Sequence, residues 1–283
     1  GGRTVDKPPP AMVEQDVWRF REAGMATAVV GEQFNIGRVI QRTFTTLGRN
    51  FAMFALVAAA FVGLPGALFG YGSTQLKQSH GPGSFEGGAF WMVLAGMAVA
   101  LVGSGLSQGA IIHAAISDFN GRRSSLGESL RVALRNWVPL FLIALLSGLG
   151  VVLASVLLIV PGVMLAVVWA VALPVQVVEH TGAGRALNRS ADLTRGRRWS
   201  VFGVFAIFLL AALIIQLIVV AVGATLPGGV GGPTAQMVTE AVVNPVISTL
   251  AALIGHTGVA SLYHELRVSK EGAGVDVVAS VFD

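Results

Sequence analysis

The chain has 283 residues, 54% of them hydrophobic and only 12% charged, with a mean hydropathy of +0.73. Soluble domains of this length carry about a quarter charged residues, so a water-surrounded globule is excluded and the bulk solvent must be lipid. The net charge of +4 points toward polyanions without naming one, and the absence of cysteine excludes disulfides and thiolate metal sites.

The chain opens "GGRTVDKPPPAMVEQDVWRFREAG", polar, proline-containing and without the apolar core of a signal peptide. Residues 1–33 are read as a flexible extension, with Met25 as the alternative natural start. A membrane domain is expected over 34–266 and a tail over 267–283. Ile36, Ile40, Phe44, Leu47 and Phe51 then recur at helical spacing, with Arg38, Arg42 and Arg49 mostly off that stripe. Two spans follow, at about 51–71 and 89–114, each long enough to cross the hydrocarbon.

The same order recurs twice. Leu126, Leu130, Ala133, Leu134 and Trp137 repeat the stripe, with Ser124 or Ser125 as N-cap and Glu128 placed to close a capping box. Spans at about 138–159 and 162–178 come next, and Pro161-Gly162 is expected to form the tight turn between them. Ala183, Leu187, Ala191 and Thr194 give a third, weaker stripe, with Arg185, Arg189 and Arg195 on its basic side. Arg197, Arg198 and Trp199 lead from it into spans at about 200–223 and 238–263.

The fold class is therefore all-α: a polytopic bundle of six transmembrane helices with three amphipathic surface helices. The unit of surface helix, span, outer turn and span occurs three times, about an axis along the membrane normal rather than as an inverted repeat. It reads either as internal triplication or as convergent use of one anchoring rule. The connections 72–88, 160–161 and 224–237 hold Lys77 as their one Lys or Arg, whereas arginine crowds the others. Basic short loops stay cytoplasmic, which predicts cytoplasmic N- and C-termini. Each surface helix should lie at headgroup level, apolar face toward the bilayer and arginines toward anionic lipid. Arg42, Arg49, Arg131, Arg135, Arg195, Arg197 and Arg198 should form one collar that binds lipid or a partner protein together with Trp199. Phe51, Trp137 and Trp199 should mark its plane.

Little of the remaining chemistry points to a reaction. "GLSQG", Gly105–Gly109, matches the Gly-x-Ser-x-Gly pattern of serine hydrolases and, with His256, invites comparison with intramembrane serine proteases. The soluble motif needs a strand-turn-helix elbow that a span does not supply. Gly96, Ala100, Gly103, Ser107 and Ala110 instead form a small-residue stripe suited to close helix packing. Polar groups at membrane depth are costly unless paired; here they are His113, Gln176, Gln216, Asn244 and His256. Gln108, Asn244 and His256 are the candidate intramembrane polar site, which a small-solute permease would use and a structural role would explain equally. No carboxylate lies deep in a span, the five histidines show no metal-ligand spacing, and groove-reading elements for nucleic acid are missing. No catalytic residue, metal or cofactor is expected.

"FNIGRVIQRTFTTLGRNF", "LLIVPGVMLAVVWAVALPVQVVE", "ALNRSADLTRGRRWSVFG" and "LYHELRVSKEGAG" resemble bacterial inner-membrane proteins named after the membrane domain of glycerophosphoryl diester phosphodiesterases. The resemblance runs from about residue 33 onward. It is most specific at the proline-glycine hairpin and at Gly196 to Trp199. It implies a bacterial inner-membrane location and a stand-alone membrane module, since the catalytic barrel of the fused relatives and its acidic metal ligands have no counterpart here. The expected function is non-enzymatic: organising anionic headgroups or a partner protein at the cytoplasmic face, with a permease and, more remotely, an intramembrane hydrolase as alternatives.

Overall fold

The computed structural model describes residues 34–78, 88–225, 232, 236 and 238–272, and among these every regular element is a helix. The expected extension 1–33, the segment 79–87, most of 226–237 and the tail beyond Gly272 lie outside the described residues. Helix α1 (Ile36–Arg49) leads into α2 (Phe51–Ala58), a π-helical turn (Ala59–Gly63) and α3 (Leu64–Gln78). Then come α4 (Gly88–Phe119), α5 (Leu126–Arg135), α6 (Trp137–Leu157), α7 (Ile159–Val168) and α8 (Ala172–Glu179). The order closes with α9 (Ala183–Thr194), α10 (Arg198–Ala224), a second π-helical turn (Thr239–Val243) and α11 (Asn244–Glu271).

Six stretches are long and apolar enough to cross a membrane: Phe51–Gln75, Phe90–Phe119, Trp137–Leu157, Ile159–Glu179, Arg198–Val222 and Thr239–Glu271. They are the six expected spans, with a surface helix before the first, between the second and third, and between the fourth and fifth. Spans one, three and five each leave a surface helix through a short join. In the first two joins a single asparagine carries the bend, Asn50 (φ −115°) and Asn136 (φ −97°). Each caps the helix it ends, its amide donating to the carbonyl four residues back, Thr46 at 3.1 Å and Val132 at 2.9 Å. The third join is longer and uses Gly196 at φ +81°, a conformation that favours glycine.

Two units make up the chain. The larger, Asn35–Glu265, has a core of Phe54, Val57, Leu106, Ile111, Leu140, Val177, Leu253 and Ala260, joining spans one, two, three, four and six. Span five is peripheral: Leu209, Leu210 and Leu217 are all at least 60% exposed, which suits contact with lipid. In the smaller unit the described residues are Phe34 and 266–272. There the last helix continues to Glu271, beyond its expected end, and Arg267 pairs with Glu271 one turn on at 3.1 Å.

The small-residue stripe of span two packs as expected. Gly96 lies against the backbone of Phe69, where a Cβ would come within 2.9 Å, and Gly103 lies against the carbonyl of Phe61. Pro65, four residues later, removes the amide that would bond that carbonyl in an α-helix. The π-turn Ala59–Gly63 falls just before this proline and includes Phe61, whose oxygen is the atom nearest Gly103. A second π-turn precedes Pro245 in the same way, and Gly63, Gly66 and Gly70 receive Thr249, Pro245 and Glu240 across the contact between spans one and six.

One expectation needs correction. The reversal between spans three and four is made at Leu158 (φ −159°, ψ 139°), not at Pro161-Gly162. Those two residues occupy the first turn of α7, where proline costs no hydrogen bond. Gly162 is there for space, since a Cβ would strike Ser155 on the facing helix.

Candidate functional site

Each surface helix has three faces rather than two. In α1 the buried residues are Val39, Thr43 and Thr46; in α5, Ser129 and Ala133; in α9, Ala186, Leu187, Ser190, Leu193 and Thr194. Large apolar residues of the expected bilayer-facing stripes stay open in the first two helices, Phe44 at 52% and Leu134 at 58% exposed, whereas Leu187 of α9 is buried. The cause is lipid. A Phe or Leu side chain gains nothing from a protein neighbour that a lipid tail does not supply, whereas small and hydroxyl residues permit close approach and interhelical bonding.

The hydroxyl face of α9 has a specific task. Span four breaks between α7 and α8, where Pro174 lacks an amide. The Val171 N–H donates to Ser190 Oγ at 3.2 Å, and Ser190 Oγ donates to the Val168 carbonyl at 2.9 Å. Thr194 Oγ1 reaches the same carbonyl at 3.3 Å. The surface helix thus satisfies the backbone groups that the break exposes.

Arginines of the joins meet three carboxylates, one in the last turns of each returning span: Asp118, Glu179 and Glu265. Glu265 is 1% exposed. It takes Arg38 Nη2 at 2.7 Å, Arg42 Nη1 at 3.4 Å and the Asn35 N–H at 3.1 Å. Asp118 accepts from Thr46 Oγ1 at 3.0 Å and faces Arg49 at 3.6 Å. Glu179 accepts from the Tyr263 hydroxyl at 3.0 Å and pairs with Arg189 at 3.4 Å. The three neighbours Tyr263, His264 and Glu265 do point apart, to Glu179, to the ring of Phe119 and to α1. These acids were missed in the sequence; the available signal was an acid closing each returning apolar run.

The collar residues therefore divide. Arg42 and Arg49 are ion-paired, and Arg42 also lies over the Phe119 ring at 5.6 Å. Arg131, Arg135 and Arg195 are exposed and have no carboxylate partner among the described residues. Arg198 is half-buried, with its Nε unbonded, and Trp199 is 78% exposed. Arg197 is engaged elsewhere in the structure.

The intramembrane candidates do not assemble. Gln108 lines an apolar groove of about 350 Å³ between spans two and three, with Trp137, Phe141 and Leu145. Asn244 donates to Glu240 Oε2 one turn earlier at 3.1 Å. His256 lies three turns further along span six, its Nδ1 buried and without a partner. Of the three, Gln108 alone lines one of the cavities described, and none of these cavities joins it to Asn244 or His256. Ser107 is fully buried and its hydroxyl has no partner, so no histidine is paired with it. Gln176 and His113 serve as interhelical links. Gln176 Nε2 reaches Asn136 Oδ1 at 3.5 Å, its Oε1 accepts from the Gly182 N–H at 2.8 Å, and His113 Nδ1 lies 3.4 Å from Ser129 Oγ. Among the described residues no group of three metal-ligating side chains converges.

Six apolar spans, with ionic contacts gathered at the ends that meet the surface helices, define a multi-pass membrane protein. Over residues 145–266, from within span three to the end of span six, the chain is similar to a family described as a domain of unknown function (DUF7847). No curated protein and no solved structure matches the chain.

Proposed function

We propose that this is a non-enzymatic inner-membrane protein of a bacterium, with both termini cytoplasmic, that organises anionic lipid headgroups on its cytoplasmic face. One observation carries the reading. Some arginines of the surface helices are neutralised by carboxylates of the fold, while Arg131, Arg135 and Arg195 are exposed and lack such partners among the described residues. Charges without an internal role, set beside Trp137 and Trp199 at the starts of spans, suit phosphate at the bilayer surface. The segments that resemble the membrane domain of glycerophosphoryl diester phosphodiesterases support the inner-membrane location.

The test is lipid retention by the purified protein in nanodiscs of phosphatidylcholine with graded phosphatidylglycerol. Anionic lipid should be enriched around the wild type, and the R131Q/R135Q/R195Q variant should lose most of that enrichment. Equal enrichment in the two proteins would overturn the lipid role of these arginines and leave an acidic partner protein as their target.

A further inference from the structure

The paired arginines carry a separate inference. Arg38, Gln41, Arg42, Thr45, Thr46, Arg49, Asp118 and Phe119 line an open cavity of about 340 Å³ between α1 and the end of span two. A second cavity of about 230 Å³ adjoins it, lined by Arg49, Asn50, Asp118, Gly121, Arg122 and Arg123. Arg49 and Asp118 belong to both. Five guanidinium groups surround the pair of cavities against two carboxylates, Asp118 and the buried Glu265 behind Arg38 and Arg42. Among the described residues Arg122 and Arg123, both exposed, have no carboxylate partner.

Donors also outnumber acceptors. Each guanidinium has five N–H groups, and Gln41 and Thr45 add neutral donors, whereas Asp118 already accepts from Thr46 and faces Arg49. A tetrahedral phosphate, with several oxygens to share among arginine forks, fits this imbalance better than a planar carboxylate. Two cavities hinged on one arginine suit two phosphates on a short linker. Phe51, 53% exposed, begins span one two residues after Arg49, so a ligand held here would have its apolar part at the bilayer. We propose that the two cavities form one site for a bis-phosphate lipid headgroup of the cardiolipin class, one phosphate in each cavity and Arg49 between them. The idea rests on the headgroup reading above but uses different residues.

Native mass spectrometry of the detergent-purified protein tests it, with cardiolipin, phosphatidylglycerol and soluble pyrophosphate as probes. The wild type should hold cardiolipin at least about fivefold more tightly than phosphatidylglycerol, the scale of one added basic contact near a membrane surface. R49Q should remove that preference. R122Q/R123Q should reduce it by a similar factor and serves as the second reading if R49Q fails to fold. R131Q/R135Q/R195Q should leave the preference intact while lowering total anionic lipid, which separates failure of this site from failure of the general reading. Equal affinities for the two lipids in the wild type would overturn the proposal, as would a preference unchanged in both R49Q and R122Q/R123Q. Displacement of cardiolipin by equimolar pyrophosphate would also overturn it, in favour of a soluble diphosphate.

Discussion

Removing Arg38 should destabilise the protein more than removing the carboxylate it binds. Glu265 has a side chain only 2% exposed, whereas those of Arg38 and Arg42 are 33% and 29% exposed. In R38A the carboxylate keeps the Asn35 N–H and the long contact to Arg42 but loses its 2.7 and 2.9 Å bonds. Stranding a buried charge costs about 3–5 kcal/mol, and the two surviving contacts place this case near the lower end, about 3 kcal/mol. E265Q keeps an acceptor for Asn35 and Arg38 and exchanges charge-assisted bonds for neutral ones, and the arginines still reach water. Its cost is about 2 kcal/mol. R42A loses a 3.4 Å contact and its place over Phe119, about 1 kcal/mol.

The order R38A, E265Q, R42A is read as the midpoint of thermal unfolding in one detergent, followed by tryptophan fluorescence. The double variant R38A/E265Q adds the sharper measurement. Once the carboxylate is neutral nothing is left to strand, so the double should be no worse than R38A alone and well short of additive. An additive double variant, or R42A as damaging as R38A, would refute the assignment of Glu265 as the buried charge that holds α1 in place.

Two further outcomes follow from geometry already described. S190A should destabilise by about 1–3 kcal/mol, because it leaves the Val171 N–H without its acceptor at the break in span four, while T194A should cost less because Ser190 still serves the Val168 carbonyl; equal thermal shifts for the two would refute this division. Since the chain has no cysteine, single replacements report topology without background. S124C should be modified by a membrane-impermeant maleimide from the cytoplasmic side and V160C from the opposite side, and labelling of both from one side would end the six-span orientation.

Spans, surface helices, the Ser125 cap and the small-residue stripe were legible because each is a local pattern: a run of about 20 apolar residues, a 3.6-residue period, or a hydroxyl three residues before a free amide. The buried faces of the surface helices were not. The stripe with Phe44 and Leu134 is open, as suits a side turned to lipid, and it gives no sign of the further face on which Thr43 and Ser129 are buried. The reversal at Leu158 was hidden because proline marks helix starts as well as turns. Nor does any local pattern tie Arg38 to an acid 227 positions away. What the sequence did offer was the recurrence of an acid at the close of each returning span, and only the fold shows which arginine each one meets.

Those pairings bear on why the collar is divided. Arg42 and Arg189 each stand seven residues after the N-cap of their surface helix, Asn35 and Gly182. Each is met by the acid of the hairpin before it in cyclic order: Glu265 of the third unit reaches α1, and Glu179 of the second reaches α9. The remaining step, from the first unit to α5, breaks the pattern. Seven residues after Ser125 stands Val132, and the first turn of α5 carries an acid, Glu128. Asp118 accordingly turns to Arg49 in its own unit, and a neutral contact between His113 and Ser129 links α5 to span two. A ring of three ionic links would have used up one arginine of every surface helix. With one link neutral, Arg131 and Arg135 have no carboxylate partner among the described residues, and the positive charge of α5 stays exposed.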